Sequence, residues 1–104
     1  MPDLFDPIKI RSITFRNRIG VSPMVQTSSL DGFADDWHLV HLGSRAVGGA
    51  GLVLTEATAV QKNGRISSSD LGIWKDAHIS NLRKISSFVK KQGSIPGIQL
   101  AHAG

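Results

Sequence analysis

Hydrophobic residues in this chain fall into short apolar runs separated by amphipathic segments. Runs of this kind are typical of strands buried in a parallel sheet, whereas apolar positions spaced three or four apart predict helices. The apolar runs cover residues 18–23, 51–60 and 95–101, and the helical patterns cover 37–47 and 76–92. Ahead of them, Ile8–Ile10 and Ile13–Phe15 predict a small hairpin. The predicted order is hairpin, β, α, β, α, β.

Polar residues and glycines mark the ends of both predicted helices. Asp35 or Asp36 can cap the first helix, where an acid also suits the helix dipole, and Gly48 follows its last residue. One side of this helix carries Trp37, Val40, His41, Ser44 and Val47. Gly93 ends the second helix, whose apolar stripe consists of Ile79, Leu82, Ile85 and Val89.

Strands separated by helices of this length predict right-handed parallel crossovers. Three parallel strands alone leave two open edges and a half-covered core, so such a sheet either closes with further strands or exposes apolar surface. A (β/α)8 TIM barrel needs about 250 residues, and this chain has 104. We therefore expect residues 1–104 to be the N-terminal portion of a single, truncated TIM-barrel domain.

Composition excludes several classes of function. The chain is 40% hydrophobic and 19% charged, as in an ordinary globular protein, and its net charge is +4. Its closest basic groups, Arg83-Lys84 and Lys90-Lys91, lie on the second predicted helix with no interleaved aromatic residue. That arrangement indicates a solvated helix face, so no nucleic-acid partner is expected; a nucleic-acid binder would rest only on the pI of 10.0.

The cysteine content and the hydropathy of the chain indicate where in the cell the protein is expected. The chain has no cysteine, which excludes disulfides and thiolate catalysis within this stretch. No apolar run approaches the roughly 18 residues of a membrane span. The first residues lack the basic start and apolar core of a signal peptide. A cytoplasmic protein without a membrane partner is expected.

Three polar residues near strand ends are candidates for chemistry. Glu56 is the only glutamate in the chain; a buried carboxylate is costly unless it is paired, so it is either a site acid or, as we favour, a structural anchor. Gln99 lies mid-strand between apolar neighbours, where a buried amide needs partners or reads the edge of a heteroaromatic ring. His102 is interpreted as a structural hydrogen-bonding residue.

The remaining histidines and glycines do not indicate a catalytic or metal site. His38 and His41 can share a helix face, but no further ligands accompany them, so no metal is expected. His78 is expected at the surface, and Trp74 is expected to serve packing. The glycines at 48–51 follow a helix and precede a strand, the reverse of the order in a dinucleotide-binding motif. No catalytic residue is assigned.

Four segments, in this order and spacing, resemble the old yellow enzyme family of FMN-dependent oxidoreductases, in particular its bacterial NADPH dehydrogenase-like subgroup. They are Leu4–Ile8; Asn17–Ile19 with Ser22–Met24; Thr55–Ala57 with Gly64–Ile66 and Asp70–Trp74; and Gly97–Gly104. The resemblance spans nearly the whole chain and the N-terminal third of the family. It implies a (β/α)8 barrel closed at its bottom by the hairpin, with FMN across the carboxyl ends of the strands.

The resemblance also implies which residues contact the cofactor. Pro23 and Met24 are similar to residues that end the first strand beside the flavin, and Ala57 to the small residue bordering its ring. Gln99 is similar to the glutamine that hydrogen-bonds the pyrimidine edge of the isoalloxazine. Val25 stands where relatives usually have cysteine or threonine, and valine cannot tune the flavin by hydrogen bonding. Thr27, similarly, replaces a tyrosine that lines the substrate pocket in the subgroup.

The resemblance implies an ene-reductase-like activity: hydride passes from NADH or NADPH through FMN to an activated alkene or similar small molecule, in a protein expected to be a homo-oligomer. The family's substrate-orienting histidine pair, proton-donating tyrosine and phosphate-binding segment lie beyond Gly104, so the 104-residue chain alone is expected to be inactive. The alternative is a non-catalytic fragment or assembly module that pairs through open sheet edges.

Overall fold

The computed structural model describes residues 2–104, and within them the predicted element order is confirmed. An antiparallel hairpin of β1 and β2 precedes a parallel sheet ordered β3-β4-β5, and helices α1 and α2 form the crossovers. The bounds are β1 Ile8–Ile10, β2 Ile13–Phe15, β3 Gly20–Val21, α1 Asp36–Val47, β4 Leu52–Ala59, α2 Ile79–Lys91 and β5 Ile95–Ala101. No helix in the described range is long and apolar enough to cross a membrane.

Two elements are shorter than the sequence pattern predicts. Strand β3 pairs with β4 only through Gly20 and Val21, because the chain reaches Pro23 two residues later and proline has no N–H for the ladder. Helix α2 begins at Ile79, since Asp76–His78 forms a 3-10 turn ahead of it. Both differences concern element ends, where local hydrogen bonding decides the boundary.

Helix α1 buries a different side from the one carrying Trp37, Val40 and Val47, which are 47%, 57% and 63% exposed. The buried positions are His38, His41, Leu42, Gly43 and Ala46. Gly43 lies where α2 approaches closely, since a Cβ there would be 2.9 Å from the Phe88 ring. Of the predicted side, only His41 is buried.

Helix α2 follows its predicted stripe, with Ile85 and Val89 buried and Leu82 packed against the core. The prediction that His78 is a surface residue is wrong, because its side chain is 1% exposed. The rings of Phe33 and Trp74 contact it edge-on, with centroids 4.7 and 4.6 Å away. Its Nε2 also lies 2.9 Å from the carbonyl oxygen of Asp31, which anchors the ring. Trp74 is thus a packing residue, as predicted.

The guanidinium of Arg16 joins the hairpin to the amino end of the parallel sheet. It donates to the carbonyl oxygens of Gln92, Ala46 and Ala50 at 2.6, 2.8 and 3.0 Å, and to the Ser94 hydroxyl at 2.9 Å. Ala46 and Gln92 lie at the carboxyl ends of α1 and α2, where carbonyl groups lack helical partners. One cation therefore satisfies both helix ends and fixes them to the start of β5.

Replacing Arg16 by methionine should lower the free energy of unfolding by about 3 kcal/mol, because several part-buried acceptors lose a charged donor. Urea denaturation measures the change. Arg18→Met is the matched control, since Arg18 is exposed and has a 3.4 Å contact with the Pro7 carbonyl; its effect should stay within about 0.5 kcal/mol. Equal losses in the two variants would contradict this account.

Candidate active site at the carboxyl ends of the strands

A β-bulge in β4 shapes the carboxyl end of the parallel sheet. Leu54 pairs with Gly97 and Ala57 pairs with Gln99, so Thr55 and Glu56 together oppose Ile98. A bulge re-aims the side chains around it and is common beside functional sites. Here it places Ala57 directly beside Gln99, two of the residues that the family resemblance assigns to the flavin.

Threonine hydroxyls compensate for the ladder bonds that the bulge removes. The carbonyl oxygen of Glu56 accepts from Thr55 Oγ1 at 2.9 Å and from Thr58 Oγ1 at 2.8 Å. The backbone N–H of Gln99 reaches Thr55 Oγ1 at 3.4 Å. These bonds keep the irregular segment defined, since a buried backbone group without a partner is costly.

The segment after β3 is held by the side chain of Gln26, which joins it to α1. Its Nε2 donates to the Met24 carbonyl at 2.8 Å, and its Oε1 accepts from the Trp37 indole at 2.9 Å. The next residue, Thr27, has a φ of +49°. A β-branched residue in this region is strained, so its backbone is imposed by the surrounding contacts.

Behind the sheet, Glu56 is buried at 4% exposure and faces helix α1. Its Oε2 lies 3.6 Å from His38 Nε2, which also lies 3.3 Å from the Ser29 hydroxyl. On its other side, His38 contacts Asp35, the residue that caps α1: Nδ1 is 2.9 Å from the Asp35 carboxylate. Within the described residues, Glu56 Oε1 has no hydrogen-bond partner. The structure thus supports the anchor interpretation of Glu56 over the site acid.

Burial shifts the pKa of Glu56 upward from its ordinary value of 4.5. The neighbouring His38 ring acts in the opposite direction, but burial is the larger effect on the pKa of Glu56. Burial likewise holds the pKa of His41 below its ordinary value of 6.5, with Arg45 and His38 adding to the effect. The two groups therefore titrate with opposite consequences for stability.

The residues predicted to contact a flavin lie after β3, near the end of β4 and on β5. Pro23 and Ala57 are half-buried, while Met24 and Val25 present apolar side chains that are 41% and 48% exposed. The expectation of a buried amide at Gln99 is wrong, because its side chain is exposed on β5, which has β4 as its one neighbour in the described sheet. Its role as a flavin contact stays a prediction.

His102 has the structural contacts predicted for it. Its Nε2 lies 2.7 Å from the Gln61 side-chain oxygen, and its Nδ1 accepts from the backbone N–H of Gly104 at 3.1 Å. The ring lies against Gly64, where a Cβ would be 2.7 Å away. These contacts join the end of β5 to the loop after β4.

Sequence reasoning missed His38 and Gln26 as organisers of this region. His38 is the third residue of α1 and completes a capping box with Asp35, a place where glutamate or glutamine is the usual signal. Its contact with Glu56 joins helix and strand residues whose proximity no local pattern encodes. Gln26, in a polar loop, has no periodicity that would single it out.

Comparison with known proteins gives consistent matches over nearly the whole chain. The sequence profile of the family described as NADH:flavin oxidoreductase / NADH oxidase matches residues 3–104. An NADPH dehydrogenase from Geobacillus sp. (strain WCH70) is 53% identical over 103 residues, which cover 97% of this chain and 30% of that protein. An NADH:flavin oxidoreductase from Gibberella zeae is 50% identical over 101 residues, covering 97% and 24% respectively. The chain thus spans less than a third of the length of these relatives.

Solved structures match the fold equally well. Morphinone reductase in complex with tetrahydroNAD superposes with a TM-score of 0.91 at 29% identity, covering 100% of this chain and 28% of that one. An old yellow enzyme homologue from Zymomonas mobilis gives 0.88 at 31% identity, covering 97% and 28%. The predicted fold class is therefore confirmed: the chain has the fold of the N-terminal part of a TIM barrel.

Glu56→Gln should change how stability depends on pH. Because the folded pKa of Glu56 is raised, its contribution to the free energy of unfolding is fully present below its ordinary pKa of 4.5 and is lost as pH rises through the folded pKa. The variant with neutral glutamine should not lose this free energy of unfolding as pH rises. Urea denaturation of both proteins, from about pH 4 to about pH 8, isolates the difference, since the acid-side loss caused by His41 is common to both. Parallel profiles would contradict a raised pKa.

Proposed function

Because the chain belongs to the NADH:flavin oxidoreductase / NADH oxidase family, we propose that it is the N-terminal portion of a single FMN-binding TIM-barrel domain. The full-length protein is an FMN-dependent oxidoreductase that takes hydride from NADH or NADPH and delivers it to an activated alkene or similar small molecule. The observation that carries the proposal is the pairing of Ala57 with Gln99 at the carboxyl end of the sheet.

The residues present fit the ring of a flavin. Met24 and Val25 offer exposed apolar surface, Ala57 leaves space beside the sheet, and the Gln99 side chain is free to match mixed donors and acceptors. The cofactor supplies the hydride chemistry when bound, and the protein orients it and tunes its reactivity. In this role Gln99 binds the pyrimidine edge, while Pro23, Met24 and Val25 border the ring from the loop after β3.

Two departures from relatives point to an altered active site. Val25 can contact the ring but cannot hydrogen-bond near it, so the redox behaviour differs from relatives with cysteine or threonine there. Thr27 is much smaller than tyrosine, and its hydroxyl donates to the carbonyl oxygen of Gln26 at 2.7 Å. The pocket wall at this position is therefore short, which favours bulkier acceptors.

A cytoplasmic location and a homo-oligomeric full-length protein belong to the same proposal. The rival function, an assembly module, is favoured by one observation: Ile98 and Leu100 on β5 are 40% and 60% exposed. Size-exclusion chromatography of the 104-residue chain tests the assembly module against the proposed enzyme portion. A folded monomer would count against the assembly module, and a defined oligomer would support it.

The full-length protein should bind FMN and turn over with a nicotinamide nucleotide. Anaerobic addition of NADH or NADPH should bleach the flavin absorbance, and an activated alkene should restore it. A protein purified without flavin, and unable to take up added FMN, would overturn the proposal.

Gln99→Leu in the full-length protein should raise the FMN dissociation constant by about tenfold and shift the flavin absorption spectrum, because the ring loses its amide partner. Gln92→Leu is the matched control, since Gln92 lies at the carboxyl end of α2 and precedes the amino end of β5, the opposite end of that strand from the candidate site. An unchanged affinity and spectrum in Gln99→Leu would remove Gln99 from the site.

A further inference from the structure

We propose that Trp37 and Gln26 are positioning residues for the flavin: the indole of Trp37 holds the Gln26 amide, and the amide fixes the Met24 carbonyl in the loop that borders the ring. This inference rests on the proposed function and deepens it. It assigns a role in cofactor binding to the first turn of α1, whereas the predicted flavin contacts lie after β3 and on β4 and β5.

The direction of the Trp37 side chain is fixed from the start of α1. Its backbone N–H donates to the Asp35 carboxylate at 3.0 Å, as part of the helix cap. Its ring lies beside the ring of His41, one turn further along the helix, with the centroids 5.9 Å apart and the planes tilted by 33°. Because the residue is 47% exposed, core packing does not account for its position. The indole N–H does have a specific partner, Gln26 Oε1 at 2.9 Å.

The side chain of Gln26 is bonded at both ends of its amide. Oε1 accepts from the Trp37 indole, and Nε2 donates to the Met24 carbonyl at 2.8 Å. An indole N–H only donates and a carbonyl oxygen only accepts, so a side chain that joins them must accept at one end and donate at the other. The amide of glutamine has this combination, whereas a carboxylate or an ammonium group does not.

The backbone around Gln26 is held as well. The Gln26 carbonyl oxygen accepts from the hydroxyl groups of Thr27 and Ser28 at 2.7 and 2.9 Å. Thr27 has a φ of +49°, a conformation that surrounding contacts must impose on a β-branched residue. Side-chain bonds therefore fix both the residue before Val25 and the residue after it.

This bonding gives the loop a defined shape before the cofactor arrives. The bond from the Gln26 amide to the Met24 carbonyl sets the plane of the Met24–Val25 peptide, since a peptide unit is planar. The two apolar side chains proposed to border the ring leave the backbone on either side of that peptide. A preformed contour lowers the entropy cost of binding. Without the indole N–H the amide loses one of its two fixed ends, and the peptide loses part of its restraint.

Trp37→Phe in the full-length protein tests this role, because phenylalanine keeps an aromatic ring and lacks the N–H. The exchange should raise the FMN dissociation constant by about fivefold and shift the absorption spectrum of bound FMN. Trp74→Phe is the matched control, since Trp74 is a packing residue whose ring contacts His78. The control exchange should lower stability and leave FMN affinity and spectrum near wild type.

A double-mutant cycle distinguishes one shared role from two separate structural roles. Gln26→Leu alone should raise the FMN dissociation constant at least as much as Trp37→Phe does. Adding Trp37→Phe to Gln26→Leu should cause no further loss of affinity, because the indole acts on the loop through the amide. Losses that multiply in the double variant would overturn the inference.

The remaining outcomes separate this inference from the proposed function. A wild-type protein that does not bind FMN overturns both together. FMN bound by Trp37→Phe with unchanged affinity and spectrum overturns only the positioning role, and so does an equal effect of Trp74→Phe. If Trp37→Phe or Gln26→Leu does not fold, Gln26→Glu replaces it, since a carboxylate accepts from the indole but cannot donate to the Met24 carbonyl. This variant should show the same loss of FMN affinity, and unchanged binding there overturns the inference.

Discussion

The guanidinium of Arg16 is the contact on which the arrangement of the other elements depends. It reaches carbonyl groups at the ends of α1 and α2 and the Ser94 hydroxyl before β5, so one side chain fixes two crossovers and the start of a strand. A Cβ on Gly93 would lie 2.8 Å from its Nη1, and Gly93 itself has a φ of +93°. Glycine is thus favoured there for two reasons, its backbone conformation and the space that the Arg16 guanidinium occupies.

The carboxyl end of the same sheet is organised differently. There the ladder is interrupted by a bulge, and hydroxyl groups of Thr55 and Thr58 replace the lost backbone bonds. A buried carboxylate at Glu56, with His38 beside it, takes the place that apolar packing holds elsewhere in the core. In barrel enzymes, conservation at the amino end of the strands serves stability, and the carboxyl end carries the chemistry. In this chain the amino end is joined by the Arg16 hydrogen bonds, and the carboxyl end contains the irregular backbone of the bulge.

Periodicity was sufficient to predict the helices, the strands and their order, because each element buries an apolar face whose spacing is local information. It failed where the partner is distant in sequence. His78 looks like a polar residue near a helix start, yet the rings of Phe33 and Trp74 enclose it. The bulge in β4 is equally invisible, since it exists only relative to β5. The candidate flavin residues were identified by resemblance to a family. The sequence pattern alone left two interpretations of Gln99, a structural amide and a contact for a heteroaromatic ring.

Strain at Thr27 lies in the loop after β3, beside the residues proposed to border the flavin. A non-glycine residue in a sparsely populated backbone region costs about 1–3 kcal/mol and persists only where the surroundings impose it. Here the surroundings include the two side-chain bonds of Gln26, which hold the residues on its amino-terminal side. A backbone fixed in this way lets the side chains at 25 and 27 change without moving the loop. If the proposed function holds, valine and threonine at these positions would alter redox behaviour and substrate range while the backbone of the loop stays the same.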